Sequence, residues 1–427
     1  MSDDRRQVGA VPSAGWRERE GPESGSGSSV GPLQDLSWTS LRGGSRIRTK
    51  RGSRGCLVQG LVNTPPHKVQ LLVHRDKENP FVLARRSRRS RESSSGVSWE
   101  RLPEELLLRI YLHLDLQDLL RVCVVCRRWN RLVFDQSLWH SVDLEGLTHT
   151  GPALQQVLKT QVRRLRCPRA CVEDLQLTGS SPLQLVELDL SSSIIPTEVL
   201  QNILRRCRQL QNLSLEGLQL SDDIISCLMK NSDLLQLNLS SCSNVSAAAV
   251  GDLLRSCCRL EQLNMSWCSF SSEHVKNLVK NLSPSVTGLN LSGYREMLTL
   301  DEVKVLVDRC PDVQTLDLSD STLLTADSFL VLQQLKNLQH LSLSRCYQLH
   351  LAALSDLGRT LPSLRFLDVF GLVQENQLVS LRKAMPHVSI NSRPFSCVAR
   401  PTPAGRTGSL QPDCSMWERT CRLRVRV

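Results

Sequence analysis

Eight segments of the chain repeat one pattern at nearly constant distance. A Leu-x-[Leu, Met or Val] pair begins at Leu188, Leu213, Leu237, Leu263, Leu289, Leu316, Leu341 and Leu367, spaced 25, 24, 26, 26, 27, 25 and 26 residues apart. Three residues before each stands Leu185, Leu210, Leu234, Leu260, Val286, Val313, Leu338 or Leu364. A period this short accommodates one strand and one helix, and neither can bury its apolar side without a stacked neighbour. The pattern therefore predicts an α/β horseshoe, with a parallel sheet on the concave side and helices such as 246–256 outside. Leu165-Arg166-Cys167 is expected to belong to a degenerate earlier repeat, and Val388-Ser389-Ile390 to end the sheet.

The register also selects exposed residues. Flanking positions of a strand point away from the anchors, onto the concave face. Two positions past the second anchor stand Ser192, Gly217, Ser241, Trp267, Gly293, Asp320, Arg345 and Gly371. Five are small, whereas Trp267, Asp320 and Arg345 are not. An indole left in water forfeits burial worth about 2–3 kcal/mol, so Trp267 is expected to meet a partner. Tyr294-Arg295 is expected to extend the same edge, its guanidinium suited to a carboxylate or phosphate. The alternative is a salt-bridged surface that the C-terminal segment caps.

Before the repeats, composition changes abruptly at Trp99. Residues 99–142 read as three short helices, Pro103 fitting the first turn with Glu104 and Glu105 at the positive dipole end. Leu106, Leu107, Ile110 and Leu114 mark one apolar face, and Asp115 can cap a second helix bearing Leu116, Leu119, Leu120 and Cys123. A module this small cannot bury so many large side chains, and Trp99, Trp129 and Trp139 belong to a residue type enriched at interfaces.

Three pieces of this module, L-P-x-E-L-L-L at Leu102–Leu108, V-C-x-x-W at Val125–Trp129 and L-W at Leu138-Trp139, resemble an F-box. The L-x-x-L-x-L period is similar to leucine-rich repeats. Together they resemble the F-box and leucine-rich-repeat substrate receptors of Skp-cullin-F-box ubiquitin ligases, from about residue 96 to 402. LQNLSLEGL, LNMSWC, LNLSGYR, LDLSDS and LSLSRCY carry the similarity through the repeats.

The resemblance implies that Trp99, Leu102, Pro103, Leu106, Leu116, Leu119, Leu120, Trp129 and Trp139 dock a Skp-type adaptor, which brings cullin and RING subunits. It implies that Trp267, Arg295, Asp320 and Phe395 contact a small Cks accessory protein, and that Arg345 contacts a phosphorylated Kip-type cyclin-dependent-kinase inhibitor. Contacts with cyclin and its kinase would fall in residues 1–94, where the similarity fades. The chain is then a non-catalytic receptor acting in the cell cycle, in nucleus and cytoplasm. The alternative is a leucine-rich-repeat scaffold with no ligase role.

Charge divides the chain in the same way. The formal net charge is +11, of which residues 1–98 carry +9, 393–427 carry +5 and 99–392 carry −3. Residues 1–94 read as a disordered basic tail, 95–143 as the F-box, 144–392 as repeats, and 393–427 as a segment folding back on the concave face. Its last residues alternate as a strand would. Arg85–Arg91 reads as a nuclear-import signal or as a solvated linker, and Thr64-Pro65 as a phosphorylation site or an ordinary turn.

The mildly acidic body and 4% aromatic content argue against a nucleic-acid binder. No leader follows Met1, and the uncharged run Leu234–Gly251 is broken by Gln, Asn and Ser, so neither export nor a membrane span is expected. The sixteen cysteines are expected to be reduced thiols, with Cys207, Cys257, Cys310, Cys242, Cys268 and Cys346 packed inside the repeats. Cys123-x-x-Cys126 has metal spacing but no second pair, and reads as helical core. No catalytic, metal-binding or cofactor motif is recognised.

Overall fold

The computed structural model describes residues 99–147, 150–177, 179–401, 421 and 423–425. The Arg85–Arg91 cluster, Thr64-Pro65 and most of the segment after Pro401 lie outside the described residues.

Three helices open it: α1 (Glu104–Tyr111), α2 (Leu116–Val122) and α3 (Arg127–Val133). Pro103 stands just outside α1 as its N-cap, extended at φ −54° and ψ 149°, one residue earlier than the first turn where the sequence placed it. Asp115 caps α2, its Oδ1 accepting from the Asp118 N–H at 2.9 Å. Cys126, exposed, caps α3 through its sulfur, while Cys123 is buried; the pair is a cap and a core residue. Arg128 ties α3 to the segment before α1, donating to the carbonyls of Glu100 and Leu102.

The repeats follow as strand and helix in turn: β1 (Ser141–Asp143), α4 (Thr150–Lys159), β2 (Arg164–Arg166), β3 (Glu187–Asp189), α5 (Thr197–Arg205), β4 (Asn212–Ser214), α6 (Asp222–Leu228), β5 (Gln236–Asn238), α7 (Ala247–Ser256), β6 (Gln262–Asn264), α8 (Ser272–Lys280), β7 (Gly288–Asn290), α9 (Leu300–Arg309), β8 (Thr315–Asp317), α10 (Asp327–Leu332), β9 (His340–Ser342), α11 (Leu351–Ser355), α12 (Leu357–Thr360), β10 (Phe366–Asp368), α13 (Glu375–Ala384) and β11 (Ser389–Ile390). All pair in parallel and in sequence order, and anchor stands opposite anchor, as Leu213, Leu237, Leu263 and Leu289 do. The uncharged run from Leu234 is thus divided between β5 and α7.

A last strand, β12 (Leu423–Arg424), pairs with β1, Val142 opposite Leu423, at the far end of the sheet from β11. It makes a sheet of 12 strands.

The core is a leucine column between sheet and helices, with cysteines spliced into it. Cys242, Cys268, Cys310 and Cys346 are buried, and each thiol donates to a carbonyl of the preceding repeat, at Leu215, Leu239, Ser283 and Leu318. Burial pushes the Cys242, Cys310 and Cys346 thiols up to about 12, which leaves them protonated and unreactive.

Candidate functional site

The residue between the two anchors of each repeat is Asp189, Ser214, Asn238, Asn264, Asn290, Asp317, Ser342 or Asp368, and all eight are buried. They form a polar ladder along the concave ends of the strands. In five of them the side-chain oxygen accepts the N–H two residues on, at 3.0 or 3.1 Å: Asp189, Asn238, Asn264, Asn290 and Asp317. That local bond bends the chain into a turn. The next residue then takes a left-handed conformation, and these are the eight positions the register selected: Ser192, Gly217, Ser241, Trp267, Gly293, Asp320, Arg345 and Gly371, with φ from 55° to 93°. Left-handed backbone disfavours large side chains, which explains the five small residues.

The three large ones lean along the ladder. Trp267 is 45% exposed, and its indole lies over Gly293, where a Cβ would come 2.6 Å from the ring. Arg345 reaches back one repeat to Asp320, Nε to Oδ1 at 2.8 Å and Nη2 to Oδ2 at 2.5 Å. Asp320 is buried at 6% exposure and committed to this pair, so it orients Arg345 instead of standing free on the surface. The bond to Asp320 holds the Arg345 guanidinium above its usual range.

Residues 391–401 cross the concave face as a strap. The Arg393 guanidinium lies 4.1 Å over the Phe366 ring, and the Arg393 backbone N–H donates to Asp368 Oδ1 at 3.2 Å. Further on, the strap brings Phe395, 60% exposed, to a groove of about 450 Å³ that Trp267, Ser292, Asp317, Arg345 and Arg400 also line. Three sequence-selected residues, Trp267, Arg345 and Phe395, therefore share one groove. Arg295 is exposed and does not line it, and its neighbour Tyr294 does not extend that edge: it is buried, donates to the Met265 carbonyl and stacks on Phe270.

Sequence reasoning missed a charged floor. Asp317 is buried and pushed up by desolvation, and the buried His340–Asp368 pair, Nε2 to Oδ2 at 2.6 Å, stands beside it. At the other end Arg166 is enclosed by Asp143 at 2.9 Å, Glu145 at 2.5 Å and Asp189 at 3.5 Å. The signal was an unbroken run of Asp, Asn and Ser between the anchors.

On the helical module, α1 carries two apolar faces. Leu107 and Tyr111 point inward at 0% and 2% exposure, while Leu106 and Ile110, the adjacent i, i+4 pair, are 43% and 38% exposed. The single face drawn in sequence through Leu106, Leu107, Ile110 and Leu114 is thus split. Trp99 is exposed and packs edge-on against half-buried Trp129, centroids 5.9 Å apart. Pro103 is exposed and Leu102 half-buried. Leu116, Leu119, Leu120 and Trp139 are buried: they hold the helices together and have no surface to offer a partner.

Comparison with known proteins decides the family. The SKP2 LRR domain family matches residues 152–424. The chain belongs to that family. An F-box-like family matches residues 99–145, so this is an F-box/LRR protein, with the three helices as its F-box. F-box/LRR-repeat protein 21 of Ovis aries is 25% identical over 209 residues, 42% of this chain and 48% of that protein. F-box protein SKIP19 of Arabidopsis thaliana is 22% identical over 269 residues, 61% of this chain and 73% of its own. The chain spans about half the length of the first of these relatives. The yeast Rad7 and Elc1 complex aligns at 17% identity and a TM-score of 0.32, covering 62% of this chain and 92% of that one.

Proposed function

We propose that this F-box/LRR protein is the substrate receptor of a Skp-cullin-F-box ubiquitin ligase, of the same kind as S-phase kinase-associated protein 2. The observation that carries the reading is a pair of separate uncovered surfaces on one chain: the outer face of α1 with Trp99, and the concave groove at Trp267, Arg345 and Phe395. The first docks a Skp-type adaptor and, through it, cullin and RING subunits. The second holds a target near the charged ubiquitin carrier, and raising local concentration is the whole of its contribution.

The groove is assigned a small Cks accessory protein and a phosphorylated Kip-type inhibitor. Asp320 balances most of the Arg345 charge, and two of the five guanidinium donors are already used. Such a group suits one carboxylate or hydroxyl better than a doubly charged phosphate, so phosphate recognition falls to the accessory protein, with Trp267, Arg295 and Phe395 as its contacts. A role in cell-cycle control, in nucleus and cytoplasm, follows from that target.

The test is a pull-down with inhibitor peptide, phosphorylated or not, with and without the accessory protein. Capture should need both phosphate and accessory protein, and Trp267→Ala should abolish it while adaptor assembly persists. Unchanged accessory-protein binding by Trp267→Ala would sink the assignment.

A further inference from the structure

The strap shows how the concave face holds a turn of peptide, closed by the Arg400 N–H on the Cys397 carbonyl at 3.1 Å. On β6, Gln262 and Asn264 flank Leu263 and stand on the concave side. Asn264 Nδ2 donates to the Val398 carbonyl at 3.3 Å, and Gln262 Oε1 accepts the Ala399 N–H at 3.0 Å. Two side chains of one strand thus clamp one stretch of the strap's backbone. The Asn264 Oδ1 is held by the Ser266 N–H and hydroxyl at 3.1 and 2.8 Å, which fixes the amide with its donor toward the peptide.

Side chains are read on either side of the clamp. The neighbouring strand position on β7 is Gly288, and a Cβ there would lie 3.6 Å from Val398 Cγ1, in ordinary contact; a side chain longer than alanine would compete with the small apolar group for that space. Arg400 reaches Glu216, Nε to Oε2 at 3.2 Å, and Asn238 Nδ2 steadies the same carboxylate oxygen at 2.9 Å. Between them Ala399 is left-handed at φ 53°, which favours a residue no larger than alanine. Val398 and Ala399 are 4% and 1% exposed, so this stretch is bound as a ligand is and does not merely rest on the surface.

None of these contacts requires the bound segment to be part of the same chain. We propose that Gly288, Gln262, Asn264 and Glu216 form a peptide-binding site for a tight turn carrying a small apolar residue, Ala or Gly, and then arginine, and that Val398–Arg400 is its resident, displaceable ligand. A tethered ligand competes at high effective concentration, so outside peptides enter only where the tether is weakened or outbid. The site needs neither an adaptor nor an accessory protein.

The test uses the full chain and a fluorescein-labelled peptide with the sequence of residues 394–401, followed by anisotropy. Arg400→Ala, which loosens the resident segment, should bind the peptide at least about tenfold more tightly than the unaltered chain. Adding Glu216→Arg should abolish that binding, and a peptide with glutamate in place of its arginine should restore it. In the unaltered chain, excess peptide should speed hydrogen exchange of the Ala399 amide, a readout that does not depend on any variant folding. Equal affinity for the unaltered and Arg400→Ala chains, binding that survives Glu216→Arg, or an Ala399 amide indifferent to excess peptide would each overturn the proposal.

Discussion

Gly293 shows how much one missing side chain can decide. Its φ is 93° and the Trp267 indole occupies the space a Cβ would take. Gly293→Ala should cost about 1–3 kcal/mol for the left-handed backbone, and more because the ring must move. In a Trp267→Ala background the second cost disappears, so a double-mutant cycle by denaturant unfolding should show coupling between the two sites; additive costs would contradict the stacking. The same logic places Gly371 beneath Arg345, whose Cγ would lie 3.1 Å from an added Cβ. Trp267 and Arg345 were legible from register alone. A salt-bridged surface was one reading of these residues, and the Arg345–Asp320 pair is such a bridge; the relation of Trp267 and Arg345 to Gly293 and Gly371 was not legible, because each involves the neighbouring repeat's turn, and the sequence carries no sign of which way a side chain leans.

At the scale of single elements, α1 offers the sharpest contrast. Leu107→Ala should leave a cavity costing about 2–5 kcal/mol, whereas Leu106→Ala, one residue away, should stay within about 0.5 kcal/mol by thermal or urea unfolding. Leu119→Ala belongs with Leu107, since Leu119 is fully buried, and would report stability and not docking. On β3, burial pushes Asp189 up to about 6 from an ordinary 3.8, Arg166 and the Ser191 bonds opposing it. A carboxyl raised in the folded state binds its proton more tightly there than in the unfolded chain. Its contribution to stability is therefore full below pH about 4 and lost as pH rises through about 6. Asp189→Asn should flatten that part of the profile, read as the difference in urea midpoint between the two chains across pH 4 to 7; parallel profiles would contradict it. Helices and strands were readable because their period is local, but the ladder of Asp, Asn and Ser was not read, since the strands looked complete once their leucines were placed.

Across the whole molecule, β12 pairs with β1 and so covers the end of the sheet next to the F-box. Leu423 is 1% exposed there. Deleting residues 421–427 should lower stability by about 1.5–3 kcal/mol, the burial of that one leucine, and speed hydrogen exchange across 141–143. Unchanged exchange there would contradict the pairing. The +11 charge, which by itself points to an anionic partner, belongs mainly to the chain's two ends, while the body from 99 to 392 is slightly acidic. Under the proposed function, recognition by that body rests on a few oriented side chains and an uncovered helix face. The repeat period made the architecture readable from sequence, whereas the strap's contacts with β6 join residues more than 130 positions apart and left no local trace.

The central claim is that one exposed helix face delivers this chain to a ligase while the groove remains free to recruit. Titration calorimetry of a Skp-type adaptor into the full chain, and into its Leu106→Asp/Ile110→Asp and Trp267→Ala variants, tests it most directly. The account predicts tight binding by the unaltered chain, a loss of about 100-fold or more, roughly 2.7 kcal/mol, in the α1 variant, and no change in the Trp267 variant. Equal adaptor affinity in the α1 variant, with its fold intact by circular dichroism, would contradict it.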